Sequence, residues 1–290
     1  MNSRKEISSV PHAARTMSAI VRLLRPLNMG IVFVTIVAGG VLSDLSAAHW
    51  PQILLAAAAG ALIAGGGNAI NDCFDVEIDR LNRPERPLPS GALTLNQANA
   101  LWVVMSLTGV TMSYLMTPWN LYISVFWVFA LYYYSRSLKK TVLAGNVTIG
   151  ILTGMAFLFG AVVTGNPSTA LFPGIFAFLV NVSRELLKDV EDVEGDRQAG
   201  AMTLPVRFGK RPALLMATLL LITLIASTFL PYLLTVYSIS YLWIVIGVDA
   251  VLLFVILSWW RDESLSNLRR LSGILKLAMV GGLAAIFAGS

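Results

Sequence analysis

The sequence predicts an all-α, multi-pass membrane protein: nine transmembrane helices bundled around a central cavity, with the N-terminus on the cytoplasmic side. Three observations predict it. Of the 290 residues 56% are hydrophobic and only 13% charged, about half the ~25% charge with which a soluble domain solvates its surface. Charge-free intervals are long enough to cross a bilayer, whose core demands ~20 apolar residues per helix. All 21 Lys and Arg fall into five clusters, at 4–25, 80–86, 136–140, 184–211 and 261–276.

The intervals count the helices. Pro26–Ser43 is one uncharged span, 45–71 a second, and 87–135 and 141–183 each hold two. Turn chemistry divides the long ones at Thr117-Pro118-Trp119-Asn120 and Gly165-Asn166-Pro167-Ser168. Leu230-Pro231-Tyr232 separates a span near 212–232 from one near 239–259, and 271–290 completes nine if Lys276 snorkels. Four hairpins between five basic clusters put every cluster on one side, which the positive-inside rule names cytoplasmic. Residues 13–25 resemble an interfacial helix, so 1–25 reads as a cytoplasmic or interfacial lead-in to one membrane domain at 26–290. No cleavable signal peptide is expected, because no apolar stretch precedes the first span. The excess of +5 has no soluble surface on which to build a nucleic-acid groove. A single Cys73 excludes an internal disulfide and a multi-cysteine metal site.

The acidic residues carry the chemistry. Eleven of 16 sit in two windows, 72–85 and 185–196, and the windows match each other. Asn71 to Arg80 aligns with Lys188 to Arg197 at six of ten positions, an offset of 117. This reads as an internal repeat whose halves meet at a shared site. On a helix, residues at i, i+3 and i+7 share one face. Asp72, Asp75 and Asp79 keep that spacing, as do Asp189, Asp192 and Asp196, with Asn68 and Glu185 one turn earlier. Six apposed carboxylates cannot ionise together without cations, and oxygen-only ligands favour Mg²⁺, which binds few carboxylates and leaves positions for substrate phosphates. A diphosphate ligand is implied. Solvated, salt-bridged helix ends would account for one such window but not for two matched ones. Arg80, Arg83, Arg86, Lys139, Arg184, Lys188 and Arg197 lie on the same side, where they can grip diphosphate oxygens or anchor the orientation. Gly65-Gly66-Gly67 before Asn68 reads as close helix packing.

These residues carry a resemblance. Asn71-Asp72-x-x-Asp75-x-x-x-Asp79-Arg80 with Asn82-Arg83-Pro84-Glu85-Arg86-Pro87 is similar to the first signature of the UbiA superfamily of intramembrane prenyltransferases. Arg184-Glu185-x-x-Lys188-Asp189-x-x-Asp192-x-x-Gly195-Asp196, followed by Thr203-Leu204-Pro205, resembles the second, so the motif windows span 68–91 and 184–209. Within the superfamily, Lys188 to Asp196 with the Thr203-Leu204-Pro205-Val206 tail is most similar to the digeranylgeranylglyceryl phosphate synthase branch of ether-lipid assembly, and Gly145-Asn146 and Phe157-Leu158-Phe159-Gly160 point the same way. The resemblance implies Mg²⁺-dependent transfer of a geranylgeranyl group from its diphosphate to geranylgeranylglyceryl phosphate. The donor is thus a polyprenyl diphosphate and the acceptor a lipid in the cell membrane, met at a site facing the cytoplasm. It implies metal ligation by Asn71, Asp75, Asp79, Asp189, Asp192 and Asp196, with Asp72 in support. Diphosphate contacts fall to Asn68, Arg80, Lys139, Arg184 and Lys188, and an acceptor phosphate to Arg25 or Arg86. Tyr132, Tyr133 and Tyr134 would face the allylic cation, whose charge aromatic rings stabilise, and Phe157 would line the prenyl tunnel. Asp249 is expected to face the bundle interior and has no assigned role.

Two other readings stay open at this point. An aromatic or pigment acceptor, as in quinone, tocopherol or chlorophyll pathways, shares both aspartate motifs. A cation-coupled transporter also uses intramembrane carboxylates, although these cluster at one face and the repeat spans four helices, which makes the halves parallel.

Overall fold

The computed structural model describes residues 12–44 and 46–290, and among them it contains helices and no strand. The part of the expected lead-in before residue 12 lies outside the described residues. The order is α1 (His12–Leu24), α2 (Pro26–Ser43), α3 (Trp50–Asn82), α4 (Leu95–Tyr114), α5 (Pro118–Arg136), α6 (Ala144–Ala161), α7 (Leu171–Glu191), α8 (Val193–Gln198), α9 (Leu204–Phe208), α10 (Lys210–Thr228), α11 (Leu230–Leu233), α12 (Ile239–Arg261) and α13 (Leu265–Gly289).

Local chemistry sets the ends. Proline occupies the first turn of α2, α3 and α5, where its missing N–H costs nothing. Thr94 and Gln97 form a reciprocal capping box on α4, while the Thr117 and Ser264 side chains cap α5 and α13. Helix α3 runs for 33 residues, about 50 Å, which exceeds the ~30 Å hydrocarbon core. Its last turns carry the first acidic window.

Seven helices among the described residues are long and apolar enough to cross a membrane: α2, α3, α6, α7, α10, α12 and α13. The expectation of nine spans also counted α4 and α5, which have 20 and 19 residues. Asn96, Gln97, Asn99, Thr108 and Thr111 dilute the hydropathy of α4, and Asn120 with four tyrosines does the same in α5.

The repeat extends from the motifs to the helices. Moved by 117 residues, α2 falls on 143–160, against α6 at Ala144–Ala161, and α4 falls on 212–231, against α10 at Lys210–Thr228. The two halves join where the equivalent helices α2 and α6 pack together. There the backbones touch: a Cβ on Gly160 would stand 2.0 Å from the Ile36 carbonyl oxygen, and one on Gly39 would stand 2.1 Å from that of Phe157. Small residues permit such approach in a bilayer, where lipid removes the hydrophobic drive between helices. One apolar cluster packs α7, α10, α12 and α13 around Leu214, Leu221 and Trp259, and a second packs α2, α3, α5 and α6 around Ile36, Ile63 and Phe159.

This crossing yields a stability prediction. Gly160→Ala forces the two backbones apart and should cost about 2–3 kcal/mol, read as a drop in thermal midpoint in detergent. Gly247→Ala, where a Cβ would meet nothing within 4 Å, should leave the midpoint unchanged or slightly raised.

Candidate active site

The ends of α3 and α7, the α1–α2 junction and the turn at Leu138–Lys140 converge at one end of the bundle. The first window divides there. Asp72 and Asp79 are buried, at 3% and 5% exposure, and Asp72 forms an ion pair with Arg25. Arg86 Nη1 donates to Asp79 Oδ2 at 2.6 Å and lies 3.5 Å from Asp72 Oδ1. Arg25 is held in the left-handed region at φ 52° immediately before Pro26, a conformation that costs a non-glycine residue energy and persists where its surroundings enforce it. Asn68 Nδ2 donates to the Leu24 carbonyl at 2.8 Å. These five side chains fasten α1 and the loop after α3 onto α3, a task that spacing alone did not show for Asn68, Arg25 or Arg86.

Asn71 and Asp75 meet a different partner. Lys139 Nζ donates to Asn71 Oδ1 at 3.0 Å and to Asp75 Oδ1 at 2.5 Å, and Asn71 Nδ2 donates to Asp75 Oδ2 at 3.0 Å. Burial pushes the Lys139 ammonium below its ordinary range, opposed by the adjacent Asp75 carboxylate. Asp72, Asp75 and Asp79 thus lie on one continuous helix, as the spacing implied, but they divide by partner: Arg25 and Arg86 serve Asp72 and Asp79, and Lys139 serves Asp75. Arg80 stands apart from both. It pairs with Glu77 at 2.7 Å, is 57% exposed, and takes no part in either set.

The second window is built otherwise. Helix α7 ends at Glu191, Asp192 caps it, and α8 begins at Val193. Asp189, Asp192 and Asp196 therefore do not lie on one continuous helix, as the spacing had implied. Asp189 Oδ2 accepts from Asn146 Nδ2 at 2.8 Å. Asp196 Oδ2 accepts from the Thr203 hydroxyl at 3.1 Å. Asp192 is exposed, and its carboxylate has no hydrogen bond or ion pair among the described residues. Burial raises the Asp196 carboxyl above its ordinary range, the Thr203 hydroxyl counters this, and the nearby Asp192 charge adds to it. Lys188 binds Glu185 at 2.7 Å, and Arg184 reaches the same carboxylate at 3.4 Å while its Nε stays buried without a partner. Among the described residues, Asp72, Asp75 and Asp79 each pair with a cation, whereas none stands within 4 Å of Asp189, Asp192 or Asp196.

The turn holding Lys139 bridges the windows. A Cβ on Gly145 would meet Lys139 Cα at 2.8 Å, so glycine lets this turn rest on the first turn of α6. The Met202 N–H donates to the Lys140 carbonyl at 2.8 Å, tying the turn to the loop after α8. Of the three tyrosines, Tyr134 is half-buried between the windows, with Glu185, Asp189, Asp75 and Arg25 within electrostatic reach of its hydroxyl. Tyr132 instead stacks on Trp102 and meets the edge of Phe74, each at 5.6 Å, and Tyr133 is 52% exposed. Phe157 is packed among Ala38, Ala161, Ala170 and Ala177, where it supports the crossing of α2 and α6. Asn146 and Thr203 are site residues that the spacing argument missed. Their signal lay in the Gly145-Asn146 and Thr203-Leu204-Pro205 segments, noted only as markers of resemblance.

Among the described residues no three acidic side chains converge closely enough to cage a metal. The donors are nonetheless all oxygens, and three carboxylates lack a cation. That set fits a hydrated hard cation whose remaining positions go to a ligand's phosphates, not a closed protein site.

The UbiA prenyltransferase family model matches residues 32–280. A digeranylgeranylglyceryl phosphate synthase of Methanopyrus kandleri is 38% identical over 278 residues, 94% of this chain and 99% of that protein. The synthase of Methanothermobacter thermautotrophicus is 35% identical over 278 residues, 94% of this chain and 96% of its own. A solved structure concerning digeranylgeranylglyceryl phosphate synthase in membranes superposes with a TM-score of 0.82 at 31% identity, covering 94% of this chain and 98% of that one. A UbiA homolog from Archaeoglobus fulgidus bound to GPP and Mg²⁺ shares the fold, with a TM-score of 0.71 at 22% identity over 93% and 99%.

The division of cations predicts unequal mutants. Arg86→Met strips a buried carboxylate of its partner and should cost about 3–5 kcal/mol in unfolding measurements. Arg80→Met, which breaks an exposed pair, should stay within about 0.5 kcal/mol.

Proposed function

The chain belongs to the UbiA prenyltransferase family, and we propose that it joins a geranylgeranyl group from geranylgeranyl diphosphate to geranylgeranylglyceryl phosphate, releasing diphosphate. The observation that carries this reading is that Lys139, bridging Asn71 and Asp75, shares one end of the bundle with Asp189, Asp192 and Asp196, which have no cation within 4 Å among the described residues. A ligand that brings both cations and phosphate oxygens completes this arrangement. The names of relatives matched over nearly their whole length support the lipid acceptor.

Asp189, Asp192 and Asp196 would hold Mg²⁺, with Asn71 and Asp75 on the facing wall. When bound, the metal supplies Lewis-acid neutralisation of diphosphate charge. Lys139 lends its ammonium to diphosphate oxygens, and Arg184, with a buried unpaired Nε, supplies a further donor. As the C1–O bond breaks, its electron pair stays on diphosphate and positive charge spreads over the allylic carbons. Tyr134 presents an aromatic ring to that charge, and the surrounding apolar helices keep water away. The acceptor hydroxyl oxygen forms the new C–O bond, and its proton passes to the departing diphosphate. Asp72 and Asp79 act one step back by holding Arg25 and Arg86. Arg25 engages Asp72 through one of its several N–H donors, leaving others for an acceptor phosphate. The positive-inside rule sets this mouth on the cytoplasmic face of the cell membrane.

Purified chain in vesicles, supplied with geranylgeranyl diphosphate, geranylgeranylglyceryl phosphate and Mg²⁺, should form the ether lipid with one pyrophosphate released per product. Turnover with an aromatic acceptor and none with the glyceryl phosphate would overturn the acceptor. Asp192→Asn should lower kcat by about 10²–10³-fold without shifting the thermal midpoint, because that carboxylate supports no neighbour.

A further inference from the structure

Asp189 is fastened by a residue that its own window does not supply. Asn146 lies in the first turn of α6 and is buried, and its Nδ2 donates to Asp189 Oδ2 at 2.8 Å. An ionised carboxylate only accepts, so the amide must present its nitrogen. Asp189 Oδ1 accepts no hydrogen bond among the described residues. Beside it, Gly145 seats the Lys139 turn on the same helix end. One dipeptide thus touches both the Lys139 turn and Asp189. In the first half Asp72, which stands 117 positions before Asp189, is held by Arg25 instead.

We infer that Asn146 is a positioning residue that fixes the plane of the Asp189 carboxylate and occupies one lone pair of Oδ2, leaving Oδ1 the freer metal-binding oxygen, and so biases the site toward Mg²⁺ over Ca²⁺. The inference rests on the reading of Asp189 as a metal ligand. Ca²⁺ takes six to eight oxygens in a flexible shell and readily accepts both oxygens of one carboxylate, whereas Mg²⁺ keeps a tight octahedron and binds few carboxylates. With Oδ2 bonded to the amide, Asp189 meets the demand of Mg²⁺ without rearrangement. A two-oxygen grip by Ca²⁺ draws on the Oδ2 that already serves the amide, so it weakens that bond or turns the carboxylate away from a buried donor. Partners that fix a ligating carboxylate in this way govern metal affinity nearly as strongly as the ligands do.

The test is equilibrium binding. Mn²⁺ bound by the full chain in detergent with inorganic pyrophosphate is read by electron paramagnetic resonance, then displaced by Mg²⁺ or by Ca²⁺. Asn146→Ala should weaken Mg²⁺ about 10-fold or more and Ca²⁺ by less than about threefold, collapsing the ratio between them. Asn146→Ser, which keeps a donor, should fall between the variant and the parent, and it carries the test if the alanine variant does not fold. A parental Mg²⁺-to-Ca²⁺ ratio in the folded variants would overturn the inference. Undiminished Mn²⁺ binding by Asp189→Ala would instead overturn the assignment of Asp189 on which it rests.

Discussion

Compensation of negative charge governs the mouth of this bundle. Two matched acidic windows are carried to one end of a low-dielectric helical assembly, where unpaired carboxylates are costly. In the first window the chain supplies the cations itself: Arg25 and Arg86 for Asp72 and Asp79, and Lys139 for Asp75. In the second it supplies an amide, a hydroxyl and, for Asp192, no side-chain partner. Among the described residues one window is therefore paired with the chain's own cations and the other is held by neutral groups, although the two read alike as sequence.

This asymmetry explains how a repeat can serve one reaction. The halves are equivalent in helix order, and they join through the contact of α2 with α6 at Gly39 and Gly160. That close crossing fixes α6, whose first turn then carries Gly145 and Asn146 to the site. The helix fixed by that crossing thus contacts both the Lys139 turn, through Gly145, and Asp189, through Asn146. The ion pairs of the first window do related work at the rim, holding the left-handed turn at Arg25 against α3.

Much of this was legible in the sequence because it was periodic. Spacing of charge marked the spans, the common side of the basic clusters and both acidic windows. What spacing could not show was the direction from which partners arrive. The stripe of Asp72, Asp75 and Asp79 divides because Arg86 comes from the following loop and Lys139 from a turn more than fifty residues on. The second stripe breaks because α7 stops at Glu191, although no proline or glycine immediately follows it. Asn146 is a single polar residue in an apolar run, which leaves no periodic trace. Among three consecutive tyrosines, only packing selects Tyr134, and a phenylalanine that fills a helix crossing is written no differently from one that lines a tunnel.

The central claim is that the two windows act on one ligand. Isothermal titration of Mg²⁺-pyrophosphate into the parent chain, Asp75→Asn, Asp192→Asn and the double variant tests it most directly. The account predicts that the two losses are not additive, with a coupling above about 1 kcal/mol, as expected for residues that share a ligand. Losses that sum within about 0.3 kcal/mol would mean that the windows bind independently, and would contradict it.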